Sequence, residues 1–398
     1  MNIEEKALKI LEQPICDHCL GRQFSQLLSG FTNDERGKAI RTIIAMSLDG
    51  KERDIDYSNF ADFTIRNLKT KEKEKSCSIC SGIFNKLDKY AEKCVKTVKG
   101  LEFETFLIGT KPSFALSDAE ETLWEKVGID FCEPIKGEIN RELGKKFEKK
   151  IGKKFSLNPD VTLILDIATG SIKVQITPLF IYGKYQKLKR GIPQTRWPSG
   201  KYKTSIEQIT AKPFMASTKG IGHKFHGAGR EDIDALCLAW RPFVLEILEP
   251  KKRKIELNKL AKKIKKDVKI KDLHFSSIKE VRELKEAKLD KTYRALIKTK
   301  TPIEKKDLKK IKIKTVAQQT PERVLHRRAD LTRKRAVRKI TPKFINSKTF
   351  ELTITGESGL YIKELISGDN NRTKPSVSEL LQVICECKEL DVINIKSK

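Results

Sequence analysis

Two Cys-x-x-Cys pairs, Cys16-Asp-His-Cys19 and Cys77-Ser-Ile-Cys80, constrain this chain more than any other feature. Cysteines at this spacing present two thiolates from one tight turn, and two such turns facing each other complete the tetrahedral four-sulfur shell of a structural Zn²⁺ site. The intervening residues 20–76 are far more than a compact ribbon needs, so the metal would clamp the two ends of an inserted helical segment. Such a site contributes folding energy and no chemistry, because no coordination position stays open for water. The redox alternative requires one pair at a strand-to-helix turn, and the presence of two pairs argues against it. His18 lies inside the first pair as a competing ligand, although Cys16, Cys19, Cys77 and Cys80 already fill the shell. Cys94, Cys132, Cys237, Cys385 and Cys387 lack a second partner at metal spacing and read as small buried or idle thiols. Nine cysteines in 398 residues are too sparse, and odd in number, for a disulfide scaffold.

Charge is the second constraint. The chain carries 82 Lys+Arg against 53 Asp+Glu, a formal net of +29, and residues 251–350 alone hold 35 against 11, or +24 of that total. A field so concentrated seeks a polyanion. The run KKRKIELNKLAKKIKKDVKIKD at 251–272 fits a solvated helix as well as a binding surface. The stretch from Thr320 to Lys339 is more telling, because it clusters arginines, whose planar forks match phosphate; Arg327, Arg328 and Arg335 are its candidate RNA contacts. No apolar run approaches the roughly 18–20 residues of a membrane span, and MNIEEKALKILEQ at the start lacks a signal-peptide core. A soluble, cytoplasmic protein is expected, with no membrane contact and no obligate protein partner implied.

Pattern divides the chain into three. Residues 1–95 carry apolar positions at helical spacing (Ala7, Ile10, Leu11; Phe24, Leu27, Leu28; Ile40, Ile43, Ile44) and the cysteine pairs, which predicts short helices around a metal knuckle. Residues 96–190 alternate helical stretches at Asp118–Val127 and Ile135–Lys149 with the strands FETFLIG, VTLILDI and SIKVQITPLFIYG, an α+β pattern. Residues 191–398 open on a loop with Pro193 and Pro198. Strands are expected there at Arg241–Leu248, Tyr293–Ile297, Phe350–Thr355 and Val392–Ile395, and helices near Ser276–Glu286 and Ser376–Glu386.

The passage KFHGAGREDIDALCLAWRPFVLEI, Lys224 to Ile247, holds the chemistry. Gly227, Ala228 and Gly229 form a flexible turn that presents Arg230, Glu231, Asp232 and Asp234 ahead of an apolar strand. A glycine loop that holds a carboxylate at a sheet edge exposes a nucleophile or base to a ligand, and the same residues also fit a surface turn with an ion pair. Asp232 and Asp234, two apart, are expected on one face of a strand. No Walker or dinucleotide glycine motif appears; Lys219-Gly-Ile-Gly222 is only a short loop.

Gly-Arg-Glu-Asp-Ile-Asp at 229–234, followed by Arg241-Pro-Phe243, resembles the catalytic motif of the tRNA pseudouridine synthases that act on the TΨC arm of archaeal tRNA. Tyr182 to Thr195, Gln319 to Asp330, Gly359 to Asp369 and Arg372 to Leu381 are similar to the same family, as are the cysteine pairs and an RNA-binding THUMP-like module before Tyr182. The resemblance implies a pseudouridine synthase domain with a mixed, mostly antiparallel sheet, tRNA as partner, uridines 54 and/or 55 as targets, and no organic cofactor. It makes Asp232 the essential aspartate, Tyr293 the tyrosine against the target base, Lys363 the basic residue that pairs with the aspartate, and Leu380 or Leu381 the apolar pocket residue. Arg230 joins these as a substrate-binding cation. The apolar run Ala235-Leu-Cys-Leu-Ala-Trp240 departs from the polar strand usual there. A non-catalytic, zinc-containing RNA-binding adaptor is the competing reading.

Overall fold

The computed structural model describes residues 2–48, 51–65, 75–264 and 266–396, and the chain forms two compact units, Met1–Thr177 and Pro178–Lys398. Among the described residues no helix is long and apolar enough to cross a membrane.

In the first unit, β1 (Thr105–Lys111), β2 (Lys154–Phe155), β3 (Val161–Asp166) and β4 (Ser171–Ile176) form a four-stranded sheet in the order β2-β1-β3-β4. Strand β1 runs parallel to β2 and β3, and β4 closes the edge antiparallel to β3. Alternation buries Phe106 and Ile108 of β1 beside Val161, Leu163 and Leu165 of β3. Helix Ile135–Ile151 covers that face with Ile139, Leu143 and Phe147, and the Phe106 and Phe147 rings meet edge to face at 4.8 Å. Ahead of the sheet, helix Asp17–Gly21 crosses helix Asn33–Ser47 backbone to backbone. A side chain at Gly21 would stand 1.8 Å from the Asn33 carbonyl oxygen and one at Gly37 2.0 Å from that of Asp17, so only glycine permits the crossing.

The second unit is built on ten strands among the described residues: β5 (Leu179–Lys187), β6 (Gly222–Gly227), β7 (Leu236–Leu248), β8 (Val268–Ser276), β9 (Lys291–Thr299), β10 (Thr315–Gln318), β11 (Arg333–Asn346), β12 (Thr349–Gly356), β13 (Thr373–Lys374) and β14 (Cys385–Ile395). Their order is β13-β10-β11-β12-β9-β14-β7-β5-β8, with β6 paired to β7. Every pairing is antiparallel except β14 with β7, where Asp391 and Val392 lie beside Leu236 and Cys237. The α+β class and the mixed, mostly antiparallel sheet expected from the sequence are what is found. Strand β7 is covered on both faces. Phe243, Leu245 and Ile247 pack on helix Ile206–Thr218, and Val244 packs on helix Ile278–Glu286 through Val281 and Leu284.

Four local expectations change. The run Ser171 to Gly183 reads as one stretch, but Pro178 interrupts it: β4 pairs with β3, and β5 pairs with β7 and β8 in the other unit. The helix expected over Ser376–Glu386 is only Val377–Leu381, because Gln382 turns left-handed at φ 55° and Cys385 already pairs with β9. Among the described residues of the basic run 251–272, only Leu257–Ala261 is α-helical, and from Val268 it is strand. Asp232 and Asp234 sit on a turn closed by the Ala235 amide donating to the Asp232 carbonyl at 3.1 Å, not on a strand, which begins at Leu236.

Candidate active site and metal centre

At the middle of the large sheet, beside the parallel pair β7 and β14, a cleft of about 690 Å³ is lined by the loop Gly229–Ala235, by Lys291 and Tyr293 of β9, by Leu390 and Val392 of β14, by the turn Ser358–Lys363, and by Arg323, Val324 and Arg328. Sequentially remote motifs therefore share one wall. Asp232 is the carboxylate they enclose. Its Oδ1 lies 3.3 Å from Nη1 of Arg323 and its Oδ2 3.3 Å from Nζ of Lys363. Lys363 also reaches Asp234 at 2.8 Å, and Arg323 is held from behind by Glu364 at 2.6 Å. Burial alone would lower the Lys363 pKa, but Asp234 and Asp232 outweigh it and keep the amine firmly cationic. For Asp234 burial works upward and Lys363 wins, leaving its carboxyl below the usual range.

The loop is anchored from below by buried polar groups. Glu231 and Arg241, both essentially inaccessible, pair at 3.0 Å, and Tyr185 donates its hydroxyl proton to Glu231 at 2.9 Å. Gln194 bridges Tyr185 and the Gly229 carbonyl at 2.8 and 2.9 Å. Lys187 donates to the carbonyls of Asp232 and Ile233 at 3.1 and 2.7 Å, and Arg190 to that of Asp234 at 2.8 Å. Three consecutive carbonyls of the aspartate turn are thus fixed by cations from β5 and the residues after it.

Tyr293 lines the same cleft as Asp232 and Lys363. Burial, opposed by Arg241, pushes its hydroxyl up to about 12, so the ring is neutral at physiological pH. Arg230 is exposed at the rim. Leu380 is not in the lining: it packs half-buried against the same core as Leu381, which is buried, and the apolar lining includes Val324, Leu360, Ile362, Leu390 and Val392. Arg328 lines the cleft and donates to the Tyr361 hydroxyl at 2.8 Å, whereas Arg335 lies outside the lining and pairs with Glu357 at 3.2 Å. The side chain of Arg327 lies outside the described residues.

The pairing of Arg323 with Asp232 is not legible in the sequence, nor are the roles of Glu231, Arg241, Lys187, Gln194 and Lys291. Most of these stand inside the motifs Tyr182–Thr195, Gly229–Phe243 and Gln319–Asp330. Lys187, Arg241 and Lys291 lie on strands β5, β7 and β9, where burial and not residue type sets them apart, and Arg323, Glu231 and Gln194 lie in turns or loops whose pairing depends on remote segments.

In the first unit, the sulfurs of Cys16, Cys19, Cys77 and Cys80 all lie within 4.8 Å of one another, those of Cys16 and Cys80 at 3.5 Å. Bonds of about 2.3 Å from a tetrahedral zinc put sulfurs roughly 3.8 Å apart, so the cluster fits such an ion. The two knuckles are tied together by Ser78, whose amide and hydroxyl both donate to the Pro14 carbonyl at 2.9 Å. Arg41 fixes the first knuckle through Asp17 at 2.7 Å and the Ile15 carbonyl at 2.7 Å. His18 is not a ligand: its Nδ1 bonds Glu138 at 2.8 Å, and its ring stacks on Phe84 at 4.1 Å.

Comparison with known proteins places the chain among relatives of one family. A family model described as the Pus10 C-terminal domain matches residues 180–396, and one described as the archaeal Pus10 THUMP domain matches residues 90–166. The chain is 42% identical to the tRNA pseudouridine synthase Pus10 of Methanocaldococcus jannaschii over 99% of this chain and 95% of that protein. It is 40% identical to the protein of the same name from Pyrococcus furiosus over 99% and 98%. Against a solved Cbf5-Nop10-Gar1 complex the identity is 16% and the TM-score 0.31 over 52% of this chain and 47% of that one, a likeness too loose to carry weight.

Proposed function

The chain belongs to the Pus10 family and is a tRNA pseudouridine synthase, and from that premise we propose that it isomerises uridine in the TΨC arm, at nucleotides 54 and/or 55, with Asp232 as the reacting carboxylate. The observation that carries this reading is the setting of Asp232: one carboxylate between Lys363 and Arg323, in a cleft that also holds Tyr293.

Isomerisation breaks the N1–C1′ bond, turns the base and rejoins it through C5. The Asp232 carboxylate either adds to C1′ or takes a sugar proton to give a glycal, and both routes need a target nucleotide flipped out of its stack into a cleft. Tyr293 lies against the base, and Lys363 and Arg323 hold the carboxylate in place. Arg230 and Arg328 meet the RNA near the rim, and Arg327 and Arg335 extend that surface. No organic cofactor takes part. Cys16, Cys19, Cys77 and Cys80 hold a structural zinc in residues 1–95, which with the THUMP-like module that follows and ends before Pro178 bind tRNA in the cytoplasm, without an obligate protein partner.

The test is a tRNA transcript in which uridine 54, uridine 55 or both are replaced by cytidine. Product should vanish when both are replaced; pseudouridine appearing elsewhere in that transcript would overturn the assignment of target. Binding without product on any transcript would instead favour the adaptor.

A further inference from the structure

Lys291 opens β9 two residues before Tyr293, so the two side chains leave the same face of the strand, and both line the cleft. It is only 7% exposed, yet among the described residues no carboxylate pairs with its ammonium. Among the described residues its hydrogen bonding is limited to the Leu289 carbonyl at 3.5 Å, at the edge of what counts as a bond. Neighbouring Asp290 is turned toward Arg338 at 3.4 Å. Burial first, and then the charge of Arg241, lower the Lys291 amine to about 8. Arg241 itself is engaged by Glu231 and by the Ala228 carbonyl at 2.9 Å. Gly229, at φ +80°, lies against both cations: a Cβ there would stand 3.4 Å from Lys291 Nζ and from Arg241 Nη1, and its absence leaves the approach to the amine clear. A buried cation without a counter-charge is unfavourable in the free protein, so its partner comes with the ligand.

We propose that Lys291 binds the target base, its ammonium donating to a carbonyl oxygen of the flipped uracil and carrying the charge that develops on the ring as the N1–C1′ bond breaks. The inference rests on reading the cleft as a uridine isomerase. A phosphodiester is the other acceptor RNA offers, but its chain continues in both directions and needs an open groove. The base is a terminal group and reaches a nearly enclosed amine. The electron pair of the broken N1–C1′ bond leaves with the base whether Asp232 adds to C1′ or removes a sugar proton, so the anion forms on either route. Lys291 keeps its proton throughout. When C5 then bonds to C1′, the C5 proton is lost and N1 is protonated, so the product has the composition of the substrate. This is charge stabilisation by a group already in place before reaction.

Two measurements test it. Lys291→Met should bind tRNA within about two-fold of wild type with an unchanged salt dependence, while kcat falls about 100-fold, the usual cost of losing one preorganised donor. A kcat within three-fold of wild type, or a matching loss of binding with a flatter salt slope, overturns the proposal. The second uses wild-type protein and needs no variant to fold. Lysines are acetylated with acetic anhydride near pH 8, and Lys291 is read by peptide mass spectrometry in free protein, with unmodified tRNA, and with tRNA carrying an abasic ribose at the target nucleotide. Labelling of free protein, protected by uridine-containing tRNA and not by abasic tRNA, supports a contact to the base. Equal protection by both identifies a backbone contact, and no labelling of free protein means that the amine does not reach the cleft; either result overturns the proposal. Wild-type protein that makes no pseudouridine would instead overturn the reading of the cleft.

Discussion

At the residue scale the aspartate turn depends on a lysine that, among the described residues, has no carboxylate partner in contact. Lys187 is fully buried, with its ammonium donating to the carbonyls of Asp232 and Ile233. Burial lowers it to about 8 from an ordinary 10.5. Between those two values the unfolded chain binds the proton and the native state does not, so Lys187 adds stability as pH rises from about 8 to about 10.5. The span corresponds to about 3 kcal/mol. Urea unfolding of wild type and Lys187→Met across this range isolates the effect: the difference in unfolding free energy should shift in favour of wild type with rising pH. A pH-independent difference would mean that the lysine titrates normally. This residue was within a recognised stretch of sequence but without an assigned role, because a lysine in an alternating strand reads as a solvent-facing position. Asp232, by contrast, is singled out by the resemblance of Gly229–Asp234 to a family motif, since the glycine turn by itself fits a surface ion pair equally well.

At the element scale the cysteine pairs do what their spacing predicted geometrically, bringing together turns that are 60 residues apart in sequence. The close helix crossing at Gly21 and Gly37 and the Ser78 bonds to Pro14 prepare the two knuckles for one ion. Purified protein is therefore expected to hold about one zinc per chain, and Cys19→Ser together with Cys77→Ser should lower the melting temperature while leaving chemistry at Asp232 unchanged. Metal analysis and calorimetry check this; metal-free protein of unaltered stability would remove the zinc. Long, strongly patterned elements such as Ile135–Ile151 and β3 were readable from periodicity. The short helix Val377–Leu381 was not, because its fate is set by β14, whose pairing with β9 lies about 90 residues away in sequence and claims the residues from Cys385 onward. Nor was the conversion of the Arg-rich stretch into a 3-10 turn, Glu322–Arg327, followed by strand β11. That change takes Arg323 out of the expected phosphate surface and sets it on Asp232.

Across the whole molecule the net charge of +29 predicts binding dominated by phosphate contacts. On β11, Arg333, Lys334 and Lys339 are exposed, and among the described residues none of them has an ion-pair partner, in contrast to Arg335 and Arg323. Replacing these three by alanine should weaken tRNA binding and flatten the dependence of log K on log salt by roughly two to three units, with kcat at saturating RNA retained. Filter binding over a salt series measures both, and an unchanged slope would move the RNA surface elsewhere. Catalysis is tested most directly by Asp232→Asn, which preserves shape but can act neither as nucleophile nor as base. Wild type and variant are incubated with unmodified tRNA, pseudouridine is mapped by position, and binding is measured in parallel. The expected result is product at nucleotide 54, 55 or both with wild type, and none with the variant at tRNA affinity within a few-fold; pseudouridine formed by the variant at about a tenth of the wild-type rate would contradict the role given to Asp232.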